Sequence, residues 1–138
     1  MTLEPLLRAP PAVQLHVATV LPAFVIGSWS LFLSAKGSPA HRWGGRLFVS
    51  LMAVTALSTL FVPAAVGPTL ALGPLRFGLI HLFIPVTVHG LWRGLGAIRR
   101  GDVALHERAM RRLYLLALVL AGLFTLAPGR TLYRVFAG

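Results

Sequence analysis

Four long apolar stretches, separated by prolines, glycines and arginines, set the pattern of the 138-residue chain. A helix that spans a bilayer needs roughly 20 mainly apolar residues. The first stretch predicts a helix over 13–33, after the Pro10-Pro11 break. The second predicts one from Pro39 or Trp43 to Val62, ended by Pro63 and the Gly67-Pro68 turn. The third predicts 74–95, with Gly94, Gly96 and Gly101 marking its exit. The fourth predicts 103–126, closed by Pro128-Gly129, with Asp102 placed to cap it. The tail from Arg130 to Gly138 is short and amphipathic. No stretch alternates apolar and polar residues as a β-barrel would. Short connections favour antiparallel neighbours, so the expected fold is all-α: a single domain, 1–138, formed by a four-transmembrane-helix up-down bundle.

Composition agrees with a membrane solvent. Hydrophobic residues make up 57% of the chain, mean hydropathy is +0.80, and only 12% of residues are charged. A soluble domain typically has about a quarter of its residues charged; here too little polar surface remains, and lipid must face much of it. The net charge is +10, with Glu4, Asp102 and Glu107 as the acids. A basic balance also suits nucleic acid, but these cations lie between apolar stretches, where they orient helices and meet anionic headgroups. Nine of them (Lys36, Arg42, Arg46, Arg93, Arg99, Arg100, Arg108, Arg111 and Arg112) fall on the side of the first and third loops. Four (Arg8, Arg76, Arg130 and Arg134) fall on the other. That asymmetry puts the first and third loops in the cytoplasm and both termini outside. The absence of cysteine excludes disulfides, thiolate metal sites, iron–sulfur clusters and c-type haem attachment. Leu33-Ser34-Ala35 is a weak cleavage-like site, but the first apolar run is long for a signal peptide and follows a single cation, so it is expected to stay.

Candidate chemistry rests on histidine, which is costly inside an apolar span unless partnered. His16 and His81 fall in the outer halves of the first and third helices. His41 and His106 open the second and fourth on the inner side. In a four-helix ring these are the diagonal pairs, and two facing neutral imidazoles can ligate one haem iron. Two stacked pairs would carry electrons across the membrane, a transmembrane oxidoreductase in outline. Arg42 or Arg108 would hold a propionate. Gly27, three turns below His16, would give the inner macrocycle room, with Gly44 and Gly45 beside His41. Pro85, four residues after His81, leaves that carbonyl without its helical partner.

Plainer readings stand beside these. His41 and His106 adjoin arginines and would serve as interfacial residues; His16 is near a boundary; His81 would serve as a helix–helix donor; His89 has no partner at its depth. His106 and Met110, four apart on one face, would suit copper, or zinc with a second histidine, although methionine in an apolar helix is usually packing. Gly90 and Gly94 match the small-xxx-small pattern of close helices. Trp29, Trp43 and Trp92 suit an interfacial belt. The rival functions are a copper- or zinc-handling or assembly factor and an accessory structural subunit of a membrane complex. No nucleophile–base set and no phosphate-cradling loop supports a hydrolase. Partners follow from the reading: lipids, a redox protein or quinone, and a second copy of the chain through a glycine stripe.

A set of motifs along nearly the whole chain carries a resemblance. They are His16; Lys36-Gly37 followed by His41-Arg42 and Gly45; Leu51-Met52; Ala56-Leu57-Ser58; Ile80-His81-Leu82; Arg100-Gly101-Asp102; His106 with Met110; Leu113-Tyr114; and the closing run from Ala121 to Arg130. In these the chain resembles a bacterial family of predicted four-helix membrane proteins classed as a domain of unknown function. That family implies a bacterial inner membrane and no activity. Its histidines map to His16, His41, His81 and His106. Their arrangement is similar in architecture, by analogy only, to the two-haem b-type transmembrane cytochromes.

Overall fold

The computed structural model describes residues 3–64, 68–73, 75–128 and 130–137. A short α1 (Glu4–Leu7) precedes α2 (Pro11–Ser28), which continues as one π turn, Trp29–Leu33. Pro11 begins α2, where a missing N–H is harmless. Five residues later α3 runs Pro39–Thr59. Ser38 caps it by accepting from the His41 N–H, and Lys36 Nζ donates to the Ser30 and Leu31 carbonyls that end the previous helix. Next come β1 (Leu70–Leu72) and β2 (Leu75–Phe77), an antiparallel hairpin registering Leu70 with Phe77. A 3₁₀ turn, Leu79–Leu82, leads into α4 (Phe83–Arg99). Then α5 (Val103–Leu113), a π segment (Tyr114–Leu120) and α6 (Ala121–Thr125) form one continuous rod, followed by α7 (Thr131–Ala137).

The α4–α5 corner is the tightest junction. The Gly101 N–H donates to Ile98 O and the Asp102 N–H to Ala97 O, with Gly101 at φ +77°, so α4 ends in a Schellman motif. Asp102 then caps α5 as expected, accepting from the Leu105 N–H at 2.9 Å. Three residues thus reverse the chain.

The rods pack in a ring: α2 against α3, α3 against α4, α4 against α5, and the π segment after α5 back onto α2. Ala23, Phe48, Met52, Leu91, Leu113, Tyr114 and Leu118 form its core. Polar residues join them inside. Ser58 and Thr87 are each 4% exposed, whereas Leu33 is 77% and Trp92 73% exposed. Buried hydroxyls pair across the ring: Thr55 donates to Thr19 at 2.8 Å, and Ser28 and Tyr114 share a bond of 2.7 Å. Among the described helices, one segment, Pro11–Leu33, is by itself long and apolar enough to cross a membrane.

The third predicted helix needs correction. Its expected start, Pro74, lies outside the described residues, as do Gly67 and Gly129; the chain around it forms the hairpin, and the α-helix begins at Phe83. An apolar average cannot distinguish a short hairpin from helix, and Gly73 at φ +61° was the local turn signal. The exit also moves, from residue 95 to Arg99. Gly94 and Gly96 are inside the helix, and Gly94 is there because Met110 and Ala109 pack on it. Pro85 falls in the first turn of α4, where helical N–H groups have no obligatory partner, and so does not interrupt a longer helix.

The space beside Gly27 is filled by protein. A Cβ there would lie 2.8 Å from the Phe48 ring and 3.1 Å from that of Tyr114. The same holds at Gly44, where the Trp29 ring occupies the gap, whereas Gly45 has nothing within 4 Å. Gly27→Val should therefore overpack the core and cost about 1–3 kcal/mol. Gly45→Ala should be neutral or stabilising by up to about 1 kcal/mol. Thermal unfolding in detergent reads both, and equal midpoints for the two variants would contradict this packing.

Candidate functional site: a cavity and four histidines

The ring is not filled throughout. Between α2, α3, α4 and the α6–α7 end lies a cavity of about 610 Å³, within the size range of small-molecule and cofactor sites. Val20, Phe24, Ile84 and Leu118 are typical of its lining. Its polar neighbours are His16, Thr55, Thr59, Thr87 and Thr125 from the helices, and Arg130, Thr131 and Arg134 from the tail. Arg130 Nε is buried without a partner among the described residues, a costly state for a donor.

Hydrogen-bond direction fixes the tautomer of each candidate histidine. Thr59 Oγ1 lies 2.7 Å and Ser58 Oγ 2.9 Å from the Thr55 carbonyl; a carbonyl only accepts, so both hydroxyl protons are committed there. His16 Nδ1, 3.1 Å from Thr59 Oγ1 and 3.4 Å from Ser58 Oγ, must then be the donor. Its Nε2 keeps a lone pair and has no partner among the described residues.

His41 repeats the logic. The Ser34 hydroxyl donates to Ser30 O at 2.8 Å, so His41 Nδ1 donates to Ser34 Oγ at 2.8 Å. His106 Nδ1 donates to the Gly94 carbonyl at 2.8 Å. An imidazole whose Nδ1–H is held by an acceptor, leaving Nε2 bare, is the usual state of a metal-ligating histidine.

His81 is the opposite. The Gly78 N–H donates to its Nδ1 at 2.9 Å, so the neutral ring carries its proton on Nε2, which is buried and has no partner among the described residues. Its ring packs edge-on against Phe77, 4.9 Å between centroids, and it is not part of the cavity lining.

The ring therefore brings His16 to the cavity and leaves His81 beside the hairpin. His41 and His106 stand in the first turns of α3 and α5. His89 is exposed and lies beside Trp92. Met110 rests its methyl group on Gly94, the residue that also anchors His106, so the α4–α5 approach anticipated from Gly90 and Gly94 is present. Arg42 donates from Nε to Gly37 O and ties down its own loop; Arg108 is exposed. Among the described residues no group of three or more His, Asp or Glu side chains converges as a metal cage. Sequence reasoning missed Thr55, Ser58 and Thr59, although their i, i+3, i+4 spacing on an apolar helix marks one polar face. It also missed Arg130, counted only as an outside charge.

A family model described as "Predicted membrane protein (DUF2306)" matches residues 13–136. No curated protein and no solved structure matches the chain.

The tautomers can be measured. In ¹⁵N-histidine spectra at alkaline pH, His16, His41 and His106 should be Nδ1–H and His81 Nε2–H. Thr59→Val and Ser58→Ala together should release His16 to a tautomer mixture. A single tautomer shared by all four rings would contradict these bonds.

Proposed function

The chain belongs to this family of predicted membrane proteins, and from that premise we propose a four-span membrane protein that carries electrons on haem b. Its surface supports the four spans. Large apolar side chains such as Val25, Leu57, Val88 and Leu123 face outward from all four rods, while Thr19, Thr55, Ser58, Thr59, His81 and Thr87 are buried, which is the order lipid demands. The rods beyond the first carry arginines, Arg42 and Arg46 in α3, Arg93 and Arg99 in α4, and Arg108, Arg111 and Arg112 in α5, and these lower their average apolarity. Sidedness follows from the charge asymmetry: the loops 34–38 and 100–102 in the cytoplasm, both termini outside, in a bacterial inner membrane.

The observation that carries the haem is the pair His41 and His106. They open α3 and α5, and the bonds of their Nδ1–H groups to Ser34 and Gly94 leave each Nε2 with its lone pair. These residues fit axial ligation by their donor chemistry, and a bound haem would supply one-electron redox chemistry. The protein's part is to hold both rings in the ligating tautomer. The reading takes one haem at this pair, because His81 offers a donor in place of a lone pair; Gly27 and Gly44, filled by Phe48, Tyr114 and Trp29, give that macrocycle no room, and the open face is the one at Gly45.

The first test is a visible spectrum of detergent-purified protein from cells supplied with haem precursor, air-oxidised and then dithionite-reduced. A Soret band with sharp reduced α and β bands, at one haem per chain, is expected. His41→Ala or His106→Ala should abolish it, and His81→Ala should leave it unchanged. A featureless spectrum at full haem supply would rule the reading out, and two haems per chain would bring His16 and His81 back as a pair. Sidedness is tested separately on this cysteine-free chain. Ala35→Cys should be labelled by an impermeant thiol reagent only after the membrane is opened from the cytoplasmic side, and Ala71→Cys from outside in intact cells.

A further inference from the structure

We propose that the 610 Å³ cavity binds the head ring of a membrane-soluble prenyl quinol. The site stands apart from the His41–His106 pair and does not depend on haem being present. Its polar lining is His16, five threonines, Arg130 and Arg134; the hydroxyls of Thr59, Thr87 and Thr125 donate to backbone carbonyls, and two groups carry the demand. His16 offers a bare Nε2, an acceptor that needs an O–H, because its Nδ1–H is spent on the Thr59 and Ser58 hydroxyls. Arg130 offers an Nε–H without a partner among the described residues, a donor that needs an oxygen. Thr55 and Thr19 satisfy each other and add no demand. A ligand must therefore bring one hydroxyl donor and one oxygen acceptor on an otherwise apolar body. A fatty-acid anion would answer Arg130 but has no proton for His16. A plain acyl chain answers neither. A hydroquinone carries both functions on one ring, and Phe24 and Phe83 in the cavity wall supply aromatic faces for it. The apolar remainder of the lining suits the start of a prenyl tail.

The test is equilibrium binding of decylubiquinol to purified, delipidated full-length protein, kept anaerobic in detergent, with decylubiquinone and oleate in parallel. Saturable binding of the quinol, stronger than of the quinone, is expected. His16→Ala and Arg130→Gln should each weaken it by about tenfold or more, the usual effect of stranding a buried partner. Gly122→Leu is an independent variant. Gly122 lines the cavity and a Cβ there meets nothing within 4 Å, so the larger side chain is accepted without a clash and should narrow the cavity and block binding while the protein still folds. Circular dichroism and gel filtration confirm folding of each variant. Absence of saturable quinol binding would overturn the proposal, as would affinity unchanged in Gly122→Leu. Oleate binding lost only in Arg130→Gln would also overturn it and assign a fatty acid. The visible spectrum of the same samples reports the haem reading separately, since the cavity variants leave His41 and His106 untouched.

Discussion

Most polar side chains placed between these helices find their partners within the ring, because large apolar side chains face outward along the rods. That constraint organises the interior. Thr19 and Thr55 bond to each other, Ser28 to Tyr114, and His16 to the hydroxyls of α3. Each bond ties two rods that would otherwise slide on smooth apolar faces, since lipid tails compete equally well for those faces. Glycines let the rods come close enough for the bonds to form: Gly27 receives Phe48 and Tyr114, and Gly90 and Gly94 receive Leu113 and Met110.

The same constraint decides chemistry. An imidazole has two nitrogens with opposite roles, and which role each takes depends on its neighbour. A carbonyl or an already committed hydroxyl turns His16, His41 and His106 into lone-pair donors at Nε2. A backbone N–H turns His81 into a proton donor. Four histidines that look alike by depth along the chain are thus divided three to one by the bonds around them. The proposed ligands and the proposed quinol acceptor come from the three.

Packing also leaves a gap where the rods diverge. The hairpin and the 3₁₀ turn push the start of α4 to Phe83, and the tail folds back as α7 against α1 and α6. The cavity lies among these ends, and Arg130 enters it from the tail.

Much of this was written along the chain. Runs of apolar residues between Pro10-Pro11, Ser38-Pro39, Asp102 and Thr125 mark helical rods because lengths near 20 apolar residues and local caps are local properties. The cap at Asp102, the glycine face at 90 and 94, and the apolar character of the surface were legible for the same reason. The hairpin strands at 70–72 and 75–77 were not, since averaging over an apolar window hides such short elements. Nor were the separation of His81 from His16, the filling of the space at Gly27, and the pairing of Arg130 with the cavity. Those depend on which atom of one rod meets which atom of another. Residue type and spacing put a histidine at a depth, but only the neighbours that the folded chain brings to Nδ1 settle which nitrogen remains free to act.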